Sequence, residues 1–415
     1  MMNEPKPSFD DVRDLLLTDV AIRIQLSPTL HRLAVERMET LADWLDREDS
    51  PLAGRVQLLY PQGSMAVNAT IASCRERDEF DIDVIAQLLL PPGTAPQTVL
   101  DLLYKAIKGE RGSRYYSMTK RNTRCVTIKY AEMHLDVTPA ELLVDRDPRT
   151  SFIFHHRPEE PHLPGRRVLA NPFGFADWFN TITPRDVAYS EFFEKRAREA
   201  DPLLAKVADT EEVPDQIPAF LKPPAVVALQ LIKRNRNIQY ENRAGRRPPS
   251  VMLAKLIAES GSATGRPFAE LLYQSRRLLK LLEAYHRQGA LIHVVNPRCE
   301  EDVFTDRWPA DLSEQDVYTK DMRFFVAQLE RLEHTADLEA IAEVFSRLFG
   351  ESPTKAVIGE FADRVGDSIA KGRFRSGPGS GRADLAASSI ITASTVSVPA
   401  SSRSAPHHTF YGSRQ

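Results

Sequence analysis

The chain has 415 residues, a 42% apolar composition and a formal net charge of −3. That length suits two or three folded units with substantial cores. The near-neutral charge excludes global attraction to nucleic acid or an anionic membrane, so any such contact has to be local. The three cysteines, Cys74, Cys125 and Cys299, are widely spaced and show no CxxC pattern. Neither a zinc site nor a disulfide framework is indicated. The N-terminal stretch is acidic where a signal peptide needs an apolar run, and no later segment is long enough to span a bilayer, so a soluble, cytoplasmic protein is expected.

The first clear element is residues 28–48, where Leu30, Leu33, Ala34, Met38, Leu41, Trp44 and Leu45 recur at helical spacing. This predicts a long amphipathic helix acting as a structural spine. From about residue 55 the pattern changes to short β-branched and aromatic runs: VQLLY, FDIDVIAQLLL, RCVTIKY and MHLDVTPA. These predict strands of one sheet, with a helix in TAPQTVLDLLYKAIKGE between them. Residues 155–172, rich in His, Pro and Arg, read as irregular. NPFGFADWFN opens a helix expected to continue through 185–206, and the acidic segment 208–218 reads as a domain junction. Helices then dominate, in PAVVALQLIKRNRNIQY, SVMLAKLIAES, RPFAELLYQSRRLLKLLEAYHRQ, DVYTKDMRFFVAQLERLEH and LEAIAEVFSRLFG. Beyond Gly372 the Gly/Ser/Ala/Pro-rich composition predicts a tail that is disordered alone. The expected division is a catalytic lobe at 1–210, a helical lobe at 211–371 and the tail at 372–415.

Within the strand FDIDVIAQL, side chains alternate, so Asp81 and Asp83 share one face while Ile82 points into the core. Two such acids repel unless a cation lies between them, and a hard divalent ion such as Mg²⁺ prefers their oxygen ligands. An isolated DxD is weak evidence, since a solvated strand face gives the same pattern. Here Val84, Ile85 and Ala86 follow directly, which is unlike a polar edge strand. Asp136, in MHLDVTPA, reads alone as a strand-end residue capping a turn. With Asp81 and Asp83 it makes three acids on two adjacent strands, the arrangement used for two-metal phosphoryl transfer. Gly63-Ser64 lies one element earlier, where a Gly lets backbone N–H groups approach a phosphate and the Ser hydroxyl adds a donor. In the helical region, Lys233 and Ser250 each have an ordinary reading, as a solvated lysine and a helix N-cap. The alternative places both on a triphosphate across an interlobe cleft. The basic runs Lys120-Arg121-Arg124 and Arg243-Arg246-Arg247 read as solvated faces.

Taken together, GSMAVNATI (63–71), EFDIDVIAQL (79–88) and HLDVTPAEL (134–142) resemble the bacterial cGAS/DncV-like nucleotidyltransferases of CBASS antiphage operons. NPFGFADWF (171–179), LQLIKRNRN (229–237) and NPRCEEDVFTDRW (296–308) extend the resemblance across most of residues 20–350. It implies an α+β, two-lobed polymerase-β-like fold with a mixed-sheet catalytic lobe, a long N-terminal spine helix and a helical C-terminal lobe. It further implies metal binding by Asp81, Asp83 and Asp136, with two Mg²⁺ or Mn²⁺ ions. The donor triphosphate would contact Gly63, Ser64, Lys233 and Ser250, and the product would be a cyclic di- or trinucleotide made from ATP or GTP. Transfer to an RNA or protein acceptor is the alternative. The resemblance also implies an operon-encoded effector and a partner that conjugates to the tail. A zinc-ribbon insertion is absent from the sequence, so DNA sensing by that route is not implied.

Overall fold

The computed structural model describes residues 11–72, 80–143, 146–183, 185–200, 222–261, 265–335, 337–370, 375–376 and 403–404. The expected junction at 208–218 and nearly all of the expected tail at 372–415 lie outside the described residues.

Two helices open the chain, α1 (Val12–Ile24) and α2 (Pro28–Leu45). Ser27 caps α2 by accepting from the Leu30 amide at 3.2 Å, and Pro28 occupies the first turn, where its missing N–H costs nothing. Strand β1 (Val56–Pro61) leads into a single turn, α3 (Gly63–Ala66). Then follow β2 (Phe80–Leu88), α4 (Pro96–Lys108), β3 (Thr119–Arg121), β4 (Val126–Lys129) and β5 (Met133–Leu142). The strands lie in the order β1-β2-β5-β4-β3. Only the β2–β5 pair is parallel, so the sheet is mixed, as expected.

The region 155–172, read as irregular, is a loop over 156–165, but it is flanked by the two strands of a hairpin. Strand β6 (Ser151–His155) pairs with the far half of β5 and with β7 (Arg166–Ala170). The Pro- and His-rich character belongs to the loop between them, and it masks two short strands that lack a clean alternation.

The helix expected to run on from NPFGFADWFN is in fact two, α5 (Pro172–Ile182) and α6 (Val187–Ala200). Pro184 falls between them; it has no N–H to donate and its ring opposes a continuing helix. Asp186 restarts the chain by accepting from the Tyr189 amide at 2.7 Å.

The five predicted later helices are α7 (Pro224–Gln239), α8 (Ser250–Glu259), α9 (Pro267–Arg287), α10 (Leu312–Leu332) and α11 (Leu338–Phe349). A short hairpin, β8 (Val295–Asn296) and β9 (Cys299–Val303), lies between α9 and α10. A sixth helix, α12 (Glu351–Ala370), was not expected. Two further short strands, β10 (Arg375–Ser376) and β11 (Arg403–Ser404), pair with each other.

Two main apolar cores result. One lies under the sheet, where Phe80, Ile82, Val84, Ala86 and Leu88 of β2 and Met133, Leu135 and Val137 of β5 pack on α2 and α4. The other is helical and recruits α1, α5 and α6 as well as the helices after residue 222. Helix α7 runs through it with residues 224–236 all buried, polar ones included. Several of its polar side chains donate to carbonyls: Arg234 and Asn235 donate to Phe349 and Leu348 at the C-terminal end of α11. Gln230 donates to the Thr70 carbonyl at 3.0 Å, tying α7 to the loop that leaves the sheet.

Candidate active site

The side of β2 and β5 away from α2 and α4 carries the acids. In the parallel register Asp81 stands opposite His134, Asp83 opposite Asp136, and Ile85 opposite Thr138. Both Asp83 and Asp136 therefore lie side by side on one face, with Asp81 one pleat along. Asp81 is open, its side chain 70% exposed, with His134 Nδ1 3.7 Å away. Asp83 is half-buried, and Asp136 is held by Thr127, whose hydroxyl donates to its carboxylate. Asn122 donates in turn to the Thr127 hydroxyl at 2.6 Å, fixing that donor.

Gly63 explains why a glycine ends the turn after β1. Its φ is +58°, a conformation that L side chains rarely adopt, and an added Cβ would meet Asp83 Oδ2 at 2.8 Å. The turn is also pinned by its backbone, since the Gln62 amide donates to the Asp83 carbonyl at 2.8 Å. Ser64 follows directly, and its hydroxyl accepts from Lys233 Nζ at 2.9 Å. Lys233, 3% exposed, donates also to the Ala69 carbonyl at 2.5 Å, so it spans the lobes.

The reading of Ser250 as an N-cap is replaced by a different role. Pro249 occupies the cap position without a side-chain cap bond, and Ser250 is the first residue of α8. Its hydroxyl instead accepts from Arg236 Nη1 at 3.1 Å, and the same guanidinium nitrogen donates to the Pro248 carbonyl at 2.7 Å.

A cleft of about 440 Å³ is lined by Gly63, Ser64, Asp81, Asp83, Asp136, Lys233 and Ser250, with Arg236, Asn237 and Arg247 among its other walls. All seven sequence-derived positions thus meet in one space. Arg236, Asn237 and Arg247 were missed. Arg236 lies three residues after Lys233, on the same helical face, which was the available signal. Arg247 belongs to a run read as a solvated face. The run is exposed throughout, yet Arg247 also lines the cleft and Arg243 pairs with Asp321.

The electrostatics are those of a site without its counter-charges. Burial, and then the neighbouring Asp136 and Asp81, push the Asp83 carboxyl up to about 7, against the pull of Lys233. Burial also raises Asp136, although the Thr127 hydrogen bond opposes the shift. Lys233 moves the other way, down to about 7, through burial and the nearby Arg236. The Cys125 thiol is pushed up to about 12 by burial and Asp136, which makes it an unsuitable nucleophile.

Among the described residues, no three Asp, Glu, His or Cys side chains stand close enough to enclose a metal ion unaided. The donor set still suits a hard divalent cation. It is all oxygen, it opens on the cleft, and its central carboxylate lacks a neutralising partner of its own. Such an ion commonly completes its shell with substrate phosphate oxygens and water.

Residues 14–152 match the Second Messenger Oligonucleotide or Dinucleotide Synthetase domain. The whole chain is 35% identical to the cyclic dinucleotide synthase CdnG of Bradyrhizobium diazoefficiens, covering 98% of that protein. The chain belongs to the CD-NTase family. The structure of that CdnG in complex with GTP superposes with a TM-score of 0.75 at 34% identity, over 86% of this chain and 100% of the other. A c-di-GMP synthase of Roseivirga ehrenbergii is 24% identical, over 76% of this chain and 78% of its own length. Among the described residues of this CD-NTase, no helix is long and apolar enough to cross a membrane.

Proposed function

We propose that this CD-NTase is a metal-dependent nucleotidyltransferase that joins ribonucleoside triphosphates, GTP among them, into a cyclic dinucleotide second messenger. The observation that carries the reading is the in-register acid face of β2 and β5, opening on a cleft whose other wall supplies Lys233 and Ser250. In this reading Asp81, Asp83 and Asp136 hold two Mg²⁺ ions, with Mn²⁺ able to substitute. Bound there, the ions would lower the pKa of the attacking hydroxyl and neutralise charge on the phosphates.

The remaining work falls to the chain itself. Gly63 keeps the turn close to Asp83, and Ser64 with Lys233 presents a hydroxyl and a buried ammonium to the donor triphosphate. Ser250 and Arg236 close on the same phosphates from α8 and α7. The acceptor hydroxyl oxygen bonds to the donor α-phosphorus, the α–β anhydride breaks, pyrophosphate leaves, and the hydroxyl proton passes to the carboxylates. A second such transfer closes the ring.

In this reading the product serves antiphage signalling in a cytoplasmic setting, with an operon-encoded effector and a tail-conjugating enzyme as partners. Incubation with all four NTPs and Mg²⁺, followed by phosphatase and mass spectrometry, tests the reading. A phosphatase-resistant cyclic dinucleotide, absent from Asp83→Ala, is expected. Linear, phosphatase-sensitive chains, or label carried onto RNA or protein, would overturn it.

A further inference from the structure

Beside the acid face lies a group of arginines that the donor site does not use. Arg124 precedes β4, Arg166 opens β7, Arg307 follows β9, and Arg246 sits in the loop before α8. Three of them crowd one carboxylate, Asp306: Arg124 Nη2 at 2.7 Å, Arg307 Nε at 3.8 Å and Arg166 Nη2 at 3.9 Å. Arg246 donates to the Arg307 carbonyl at 3.5 Å and so brings its charge to the same spot. The next acid, Asp302, accepts instead from Asn296 and from the Asn171 amide. Three guanidinium charges therefore share the Asp306 carboxylate with a fourth close by, and the second acid, Asp302, acts only on Arg124. Their mutual repulsion is felt: Arg307 is held down to about 10 by burial and then by Arg124, with Arg246 and Arg166 also lowering it.

His155 adds a buried donor to this group. It is 4% exposed, stands opposite Arg166 in the β6–β7 pair, and its Nδ1 accepts from Arg166 Nε at 3.3 Å. Burial and the surrounding arginines keep the ring neutral, so with Nδ1 accepting, Nε2 carries the proton. Among the described residues, neither that Nε2 nor the buried Arg124 Nε has a hydrogen-bond partner. Buried donors left unsatisfied beside excess positive charge are what an absent anion would leave behind.

The position ties the cluster to the cleft from two directions. Arg124 belongs to the turn whose Asn122 orients Thr127 on Asp136, and its neighbour Cys125 feels the charge of Asp136. Arg246 is next to Arg247, which lines the cleft. The sheet supplies two of the arginines and the helical side the other two. A polyanion placed here would be held between the lobes, at the rim nearest Asp136.

We infer that Arg124, Arg166, Arg246 and Arg307 bind the 5′-polyphosphate of the nucleotide whose hydroxyl serves as acceptor. The inference rests on the nucleotidyltransferase reading. It adds that the acceptor of the first transfer is selected by its phosphates as well as by its base, because that acceptor is itself an NTP and keeps its 5′-triphosphate until the ring closes.

The test uses 2′,3′-dideoxy-ATP as a donor that cannot itself accept, with GTP, GMP or guanosine as acceptor, in Mg²⁺. The wild-type chain should show an acceptor KM that climbs about tenfold or more from GTP to guanosine, the scale of losing one or two charge-assisted contacts. Arg166→Gln, at an exposed side chain, and Arg307→Gln should each raise the GTP KM about tenfold while the guanosine KM and the donor KM stay put. Unfolding curves of both variants verify that they fold. Variants that keep the wild-type ratio of GTP to guanosine KM would overturn the inference. So would variants that lose only an RNA-stimulated rate, which would assign the cluster to RNA. No transfer by the wild-type chain to any acceptor would sink the parent reading as well.

Discussion

Replacing Asp83 with Asn should make the metal-free protein more stable at pH 8 while abolishing its activity. The Asp83 carboxyl rises from 3.8 to about 7 because it is buried beside Asp136 and Asp81. A raised folded-state pKa means that the folded state holds the proton more tightly than the unfolded chain does. The group's stabilising contribution is therefore fully present below about pH 4 and is lost as pH rises through about 7. The shift is about 3 units, so the ionised side chain withdraws up to about 4 kcal/mol above pH 7. Asn has nearly the same shape and does not ionise. Urea unfolding in EDTA, run from pH 5 to 8, gives the wild-type-minus-variant difference at each pH, in which titrating groups distant from Asp83 cancel. The variant should gain on the wild type from pH 5 to about 7 and level off above it. Mg²⁺ should then raise the unfolding midpoint of the wild type and leave Asp83→Asn almost unmoved. A difference that is flat with pH, or an equal Mg²⁺ response in both proteins, would refute the placement of an uncompensated carboxylate at the centre of the site.

The other predictions concern single contacts. Gly63→Ala forces a Cβ against Asp83 Oδ2 from a left-handed backbone, so a loss of about 1–2 kcal/mol of stability and a collapse of turnover are expected in thermal unfolding and product assays. Lys233→Met removes the donor shared by Ser64 and the Ala69 carbonyl and should cut kcat/KM about tenfold to a hundredfold, and Lys233→Arg should not restore it, because a planar guanidinium does not reproduce the compact ammonium's donation to both oxygens. Thr127→Val should lower kcat and raise the Mg²⁺ concentration needed for half-maximal rate, whereas Thr127→Ser keeps the hydroxyl on Asp136 and stays near wild type. Cys125, its thiol pushed up to about 12, should resist alkylation in the folded protein at pH 8 and react once unfolded, as followed by intact-mass measurement.

The parts of this architecture that were legible in the sequence are those fixed by local periodicity. The alternation in FDIDVIAQL placed Asp81 and Asp83 on one face without any tertiary information, and the helical repeats after residue 222 announced α7 to α11. What was not legible depended on pairing. Asp136 faces Asp83 only because β5 runs parallel to β2 in one particular register. The strands β6 and β7 were hidden because they are short, do not alternate, and carry a buried His155 and the Arg166-Arg167 pair, which a one-dimensional reading takes for loop. The N-cap alternative for Ser250 failed because the partner of its hydroxyl, Arg236, arrives from a different helix. The basic runs were assigned to solvent because charge in a sequence says nothing of what it will face. Arg121, for example, is consumed by Asp101 and by the carbonyls of Asn122 and His156.

The opposed shifts of Asp83 and Lys233 bear on what this site is built to accept. One carboxylate is held up to about 7 and one ammonium is held down to about 7, each chiefly by burial. Burial near the other's charge is not enough to restore either group, since Asp83 also faces two acids and Lys233 also faces Arg236. A free cation would relieve Asp83 and leave Lys233 as it was. A free triphosphate would relieve Lys233 and aggravate the repulsion at Asp83. Only a ligand carrying both, cation on the acid side and phosphate on the lysine side, removes both penalties at once. The metal–nucleoside triphosphate complex has that charge order. Its phosphates would meet Ser64 and Lys233, which are already held together across the lobes by their own hydrogen bond. The preference for the complex over either component thus follows from placing an acid sheet face and a buried lysine on opposite walls of one cleft.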